Sequence, residues 1–200
     1  MSVLNEPLLI FGLEEEEEKK DLLSFYWFKN GFSKDDCEQI KEQAKAFSQV
    51  KATTFADGKE DPNRNSTVRW IDPTADTRWI FETIQNFVNE ANKELFHLSV
   101  TGFTESIQFT EYEGKGTQYG WHIDIGPGKN KRKISVVVQL SDPADYKGGN
   151  LILNTGNEIS TDREQGSVIL FPSILLHKVE PLISGNRYSL VSWVSGAVWR

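Results

Sequence analysis

The sequence predicts a mainly β protein with flanking helices: a double-stranded β-helix, or jelly roll, buttressed by N-terminal helices. Three observations predict it. From about residue 99 the chain breaks into seven or eight short apolar or alternating runs separated by Gly, Pro, Asn and Asp. No helical period interrupts them, which points to a sandwich or barrel. Two earlier segments carry the 3.6-residue spacing of amphipathic helices, so helices precede strands and pack against one face of the roll.

Residues 1–20 read as an acidic N-terminal segment around EEEEEKK, a solvated run that lacks the carboxylate spacing and Gly turn of a calcium loop. Residues 21–200 read as one domain, with a helical buttress over about 21–98 and a jelly-roll core over about 99–200. LLSFYWFKNGF (22–32) is aromatic-rich and strand-like. SKDDCEQIKEQAKAFSQV reads as a helix: Ser33 is the N-cap, acids fill the first turn, and Cys37, Ile40, Ala44 and Phe47 share a face. STVRWID (66–72) is a strand stopped by Asp72-Pro73. TADTRWIFETIQNFVNEANKELF (74–96) is the longest amphipathic helix, with Ile80, Ile84, Phe87, Val88 and Ala91 on one side. The strands that follow are ESIQFTEY, TQYGWHID, KISVVVQL, NLILNTG, SVILFPS, LLHKVEPL and RYSLVSWVSG, with Pro172 at a bend that sets the strand carrying His177.

Composition excludes several classes. A net charge of −7 leaves no electrostatic footprint for nucleic acid. KNKRK at 129–133 reads as a solvated turn. A single cysteine, Cys37, excludes an intrachain disulfide framework and a Cys-rich metal site, and fits a reducing compartment. No apolar run approaches the roughly 20 residues that span a bilayer, and no secretory signal is visible, so a cytoplasmic location without membrane contact is expected.

Of the three histidines, His97 ends a helix, where a cation meets the C-terminal dipole, and reads as structural. His122 and Asp124 lie two apart in QYGWHIDIGPG, ahead of a Gly-Pro-Gly turn. On an extended strand they point to the same face. Alone, the pair is more often an ordinary buried, hydrogen-bonded couple than a metal site. His177, from a distant strand, completes two imidazoles and a carboxylate on one face, the facial triad of non-haem Fe(II) oxygenases, which leaves coordination positions open. Arg187 interrupts the apolar run RYSLVSWV. A charge there is costly unless paired, and a planar guanidinium suits a bidentate small-molecule carboxylate.

The ordered elements Tyr112 with YxxHxD at 119–124, then GG, FPS, LH and G-x-RYSLVSW closely resemble Fe(II)/2-oxoglutarate-dependent dioxygenases of the prolyl 4-hydroxylase superfamily, above all the small bacterial and viral PKHD-type hydroxylases. The resemblance is close over roughly 105–196 and loose over FYWFKNGFSKDDCEQI. It implies that His122, Asp124 and His177 ligate Fe(II) and that Arg187 binds the distal carboxylate of 2-oxoglutarate. It further implies that Tyr112 hydrogen-bonds this cosubstrate, and that Tyr119 and Trp193 line the substrate pocket around a prolyl ring; core packing is the plainer role for these three aromatics. Gln139 stands near where relatives place a Tyr or Thr for the cosubstrate carboxylate. The family's GGEL is GGNL here, with Asn150 read as a surface change.

The implied activity is hydroxylation of prolyl residues in a peptide or protein, with 2-oxoglutarate and O2 consumed, succinate and CO2 released, and ascorbate as a candidate reductant. Two alternatives stand beside it: a hydroxylase of a free amino acid or small metabolite, and a non-catalytic jelly-roll module that retains a metal. A zinc hydrolase is weaker, because no glutamate beside the HxD serves as general base. GPGKNKRK is expected at the mouth of the site, and DGKEDPNRNS (57–66) is either a lid or a plain surface loop.

Overall fold

Alternation along the strands decides the layers. On β8 (Arg132–Gln139), Ile134, Val136 and Val138 face two helices, whereas Ser135, Val137 and Gln139 take the opposite face. The computed structural model describes residues 23–52 and 63–199. The acidic segment 1–20 and residues 57–62 of the expected lid lie outside them.

Around β8 the major sheet runs β1 (Tyr26–Phe28), β12 (Val168–Pro172), β8, β14 (Leu182–Gly196), β6 (Ile107–Glu113), β4 (Thr67–Ile71) and β2 (Val50–Lys51). Strands β5 (Val100–Phe103) and β9 (Tyr146–Gly148) add to β14. The minor sheet runs β11 (Glu158–Ser160), β10 (Leu151–Asn154), β13 (His177–Val179), β7 (Gln118–His122) and β3 (Arg64–Asn65). Every pairing is antiparallel, as a jelly roll requires. The segment read as a helical buttress therefore also supplies strands β1–β4.

Helix α1 (Lys34–Ala44) begins where expected. Ser33 Oγ accepts from the Asp36 backbone N–H at 3.1 Å and the Ser33 N–H donates to Asp36 Oδ2 at 2.9 Å, a capping box that stabilises by about 1 kcal/mol. The helix stops at Ala44 because Val50 is drawn into pairing with Val68. Helix α2 (Arg78–Ala91) starts later than its periodicity suggests, since the Thr77 hydroxyl bonds the Asp72 carbonyl and closes residues 72–77 into a turn. Its end loosens into a π turn, Asn92–Phe96, stopped by His97 at φ 49°.

Two cores result. Cys37, Ile40, Ala44, Ile80, Ile84 and Val88 pack beneath the outer face of the major sheet. Burial pushes the Cys37 thiol up to about 12, so it is an inert apolar filler. The second core, with Val137, Leu153, Ile169, Phe171 and Val179, lies between the sheets and closes one side of the roll interior. No described helix is long and apolar enough to cross a membrane.

Candidate metal and cosubstrate site

β13 and β7 are antiparallel, and their register puts His177 directly opposite His122. Asp124 lies just beyond β7, its backbone N–H held by the Ser173 carbonyl at 2.9 Å. The three candidate ligand atoms fall within 4.8 Å of one another. His122 Nε2 is 3.7 Å from Asp124 Oδ1, and His177 Nε2 is 3.5 Å from Oδ2. The other ring nitrogens are committed elsewhere: His122 Nδ1 lies 2.8 Å from the Gly120 carbonyl and His177 Nδ1 2.8 Å from the Leu175 carbonyl. A carbonyl only accepts, so Nδ1 carries the proton and the Nε2 lone pairs point at the shared centre. Ser135 donates to Asp124 Oδ2 at 2.6 Å, orienting the carboxylate from behind. Such a donor set suits a divalent metal with open positions.

The electrostatics keep these groups ready to ligate. Burial, and then the neighbouring His177, lower the His122 pKa to about 3. Burial raises that of Asp124, but His177, His122 and the Ser135 hydrogen bond outweigh it and leave it at about 2. At neutral pH the metal-free site therefore sets a neutral His122 imidazole beside the Asp124 carboxylate. A stability consequence follows. Between pH 6.5 and about 3 the unfolded chain binds a proton at His122 that the folded chain refuses, so stability falls as pH drops. Asp124 adds to the loss below its ordinary 3.8. The metal-free protein is expected to lose on the order of a few kcal/mol across this window. Urea melts at stepped pH check it; a midpoint flat from pH 7 to 4 would contradict the assignment.

Arg187, only 1% exposed, enters the same cavity from β14. Its Nη2 donates to Gln139 Oε1 at 2.9 Å, while Nε and Nη1 are buried with no hydrogen-bond partner among the described residues. Gln139 is itself held by the Asp162 carbonyl, and it sits against Arg187 rather than lining the cavity. Gly149 abuts the Arg187 stem: a Cβ there would meet its Cδ at 3.2 Å and Leu182 at 2.9 Å. Tyr112 lines the cavity beside the guanidinium. Burial raises its phenol pKa against the pull of Arg187, so it stays a hydrogen-bond donor.

Tyr119 and Trp193 also line the cavity. The Tyr119 ring stacks on His122 at 3.5 Å, and Trp193 stands 6.2 Å from Trp70. All eight residues singled out from the sequence thus converge, seven on the cavity wall and Gln139 behind it. Others were not legible. Arg64 on β3 packs over Tyr119 and bonds Gln108, so the far end of the expected lid is a strand pairing with the one that carries His122. KNKRK is exposed over residues 129–131, as expected of a solvated run, but not at its last two residues. Arg132 and Lys133 open β8 and are buried; Arg132 lies 3.6 Å over Trp193, donates to the Asp124 carbonyl and pairs with Glu105. Lys133 covers Trp199. Asn150 is half-buried rather than on the surface, its amide donating to Glu180. Ser135 had a faint signal, a polar residue at an inward position of an apolar strand.

A roll of two antiparallel sheets with a two-histidine, one-carboxylate centre and a buried guanidinium in one cavity defines a jelly-roll protein of the non-haem oxygenase class. Residues 107–195 match the 2OG-Fe(II) oxygenase superfamily. A PKHD-type hydroxylase of Shewanella sp. (strain ANA-3) is 30% identical over 189 residues, covering 84% of this chain and 77% of the relative. One from Synechococcus sp. (strain CC9605) is 41% identical over 86 residues, 42% of this chain, and the match spans 39% of that relative's length. The prolyl hydroxylase from Trichoplax adhaerens, solved with a peptide fragment of the hypoxia inducible factor oxygen degradation domain, shares the fold. Its TM-score is 0.70 at 21% identity, over 86% of this chain and 83% of that one. The chain belongs to the 2OG-Fe(II) oxygenase superfamily, among its PKHD-type hydroxylases, and the superfamily works with Fe(II), 2-oxoglutarate and O2.

Proposed function

We propose that the protein is a 2-oxoglutarate-dependent dioxygenase that hydroxylates a prolyl residue in a peptide or protein, releasing succinate and CO2. The observation that carries this reading is a single cavity joining His122, Asp124 and His177 to a buried Arg187 with two nitrogens unpartnered among the described residues. The site fits the cofactors. Two imidazole nitrogens and a carboxylate on one face match Fe(II), and the two open nitrogens of Arg187 match a dicarboxylate's distal end. Bound there, Fe(II) with 2-oxoglutarate and O2 supplies the oxidising power to hydroxylate an unactivated C–H bond.

This chain's residues supply the geometry. The Gly120 and Leu175 carbonyls fix the two rings, and Ser135 fixes Asp124. Arg187 and Tyr112 hold the cosubstrate. Gln139 takes up one guanidinium N–H and aims the others, a positioning role. Tyr119 and Trp193 form the aromatic wall on which a prolyl ring packs while water is excluded.

Mass spectrometry on proline-containing peptides tests the reading. A one-oxygen increase that requires both Fe(II) and 2-oxoglutarate, with matching succinate, is expected. Hydroxylation of free amino acids and not of peptides would replace it with the small-metabolite alternative. No turnover together with no iron binding would sink the enzyme reading altogether.

A further inference from the structure

The charge balance of the cavity is one-sided. Among the described residues that line it, Arg64, Lys129, Arg132 and Arg187 are cationic and only Asp124 is anionic. Most of that charge has a use or a partner. Asp124 belongs to the metal centre and Arg187 to the cosubstrate. Arg132 is paired with Glu105, and Arg64 packs over Tyr119 with Gln108 as hydrogen-bond partner.

Lys129 is different. Its ammonium has no hydrogen-bond or ion-pair partner among the described residues. A tight turn holds it at the mouth: its backbone N–H bonds the Gly126 carbonyl at 2.9 Å, and Gly128 has φ 75°. The side chain stays exposed at this edge; partial burial, and next the like charge of Arg132, lower its pKa against the opposing pull of Asp124 and Glu105. An ammonium that lines the cavity edge with no ion pair of its own among the described residues is open to an incoming carboxylate. Trp70 and Trp193 stand on the same wall as an apolar platform. The chain's net charge of −7 repels extended polyanions, so the positive mouth selects one local carboxylate.

We propose that the substrate is an acidic peptide, with an aspartate or glutamate beside the residue that is hydroxylated, and that Lys129 receives that carboxylate. The inference rests on the peptide-hydroxylase reading above and names the chemistry of the peptide that reading leaves open.

The test uses prolyl peptides that differ only in Asp, Asn or Lys on either side of the proline, with free proline as a further arm. Both kcat/KM and fluorescence-detected binding to the iron-free protein are read. The Asp peptide is expected to exceed its Asn twin about fivefold, the effect of a part-exposed ion pair. Lys129→Ala should level the two, and Lys129→Glu should turn the preference toward the Lys peptide. Equal handling of Asp and Asn peptides by the wild type, or a preference unmoved in both variants, overturns the proposal while leaving the hydroxylase reading intact. Lys129-dependent binding of acidic peptides without any hydroxylation would sustain the proposal and sink that reading. Lys129-dependent binding of free proline alone would refute a peptide-borne carboxylate.

Discussion

Replacing His177 by alanine is expected to abolish Fe(II) binding and hydroxylation while the fold survives. The ring lies on a short strand whose backbone pairing to β7 and β10 does not involve the imidazole, so the sheet keeps its register. What is lost is one of three ligand atoms within 4.8 Å, leaving an imidazole and a carboxylate that face an enlarged void. Loss of an outer partner such as the Ser135 hydroxyl costs about 10–100-fold in metal affinity, and loss of a ligand costs more. Titration with Fe(II) under anaerobic conditions, beside a Ser135→Ala control, reads the order. A His177→Ala protein with full activity would refute the triad, and one weakened less than Ser135→Ala would place the metal elsewhere.

Arg187→Met is expected to raise the 2-oxoglutarate KM about 100-fold, from the loss of two charge-assisted hydrogen bonds worth about 1.5 kcal/mol each. The same change should leave the cosubstrate-free protein as stable as the wild type or more so. The wild type buries a guanidinium whose Nε and Nη1 have no partner among the described residues, and methionine removes that cost at similar volume. Opposite signs in the two measurements separate a binding arginine from a structural one, whose removal would lower stability and leave KM alone. Arg187→Lys should recover little, because a point charge cannot reproduce a planar fork aimed by Gln139.

The residues of the site were legible because chemistry confines them. Two histidines on strands, an aspartate two residues past one of them, and an arginine where an apolar strand should continue have few other uses in so apolar a setting. The helices were legible in kind but not in extent. Thr77 closing onto Asp72, and Val50 pairing with Val68, shortened them through contacts that no local period encodes. KNKRK misled at its last two residues because the burial of a basic residue is settled by what lies across the sheet. Glu105, Trp193 and Trp199, all distant in sequence, draw Arg132 and Lys133 inward. Asn150 misled for a related reason: the Gly148-Gly149 turn folds against Pro181, Leu182 and the Arg187 stem, which carries the next residue under cover.

By itself the sequence determined the class of fold, the three candidate ligands and the buried arginine beside them, since alternation, turn residues and a misplaced charge are local properties. Only the tertiary structure decided which register sets His177 against His122, which nitrogen of each ring faces the centre, that Gln139 serves Arg187 from behind, and that Lys129 stands at the mouth without an ion pair among the described residues. Those features belong to pairs of residues from different strands, and a single chain read in order holds no record of which pairs will meet.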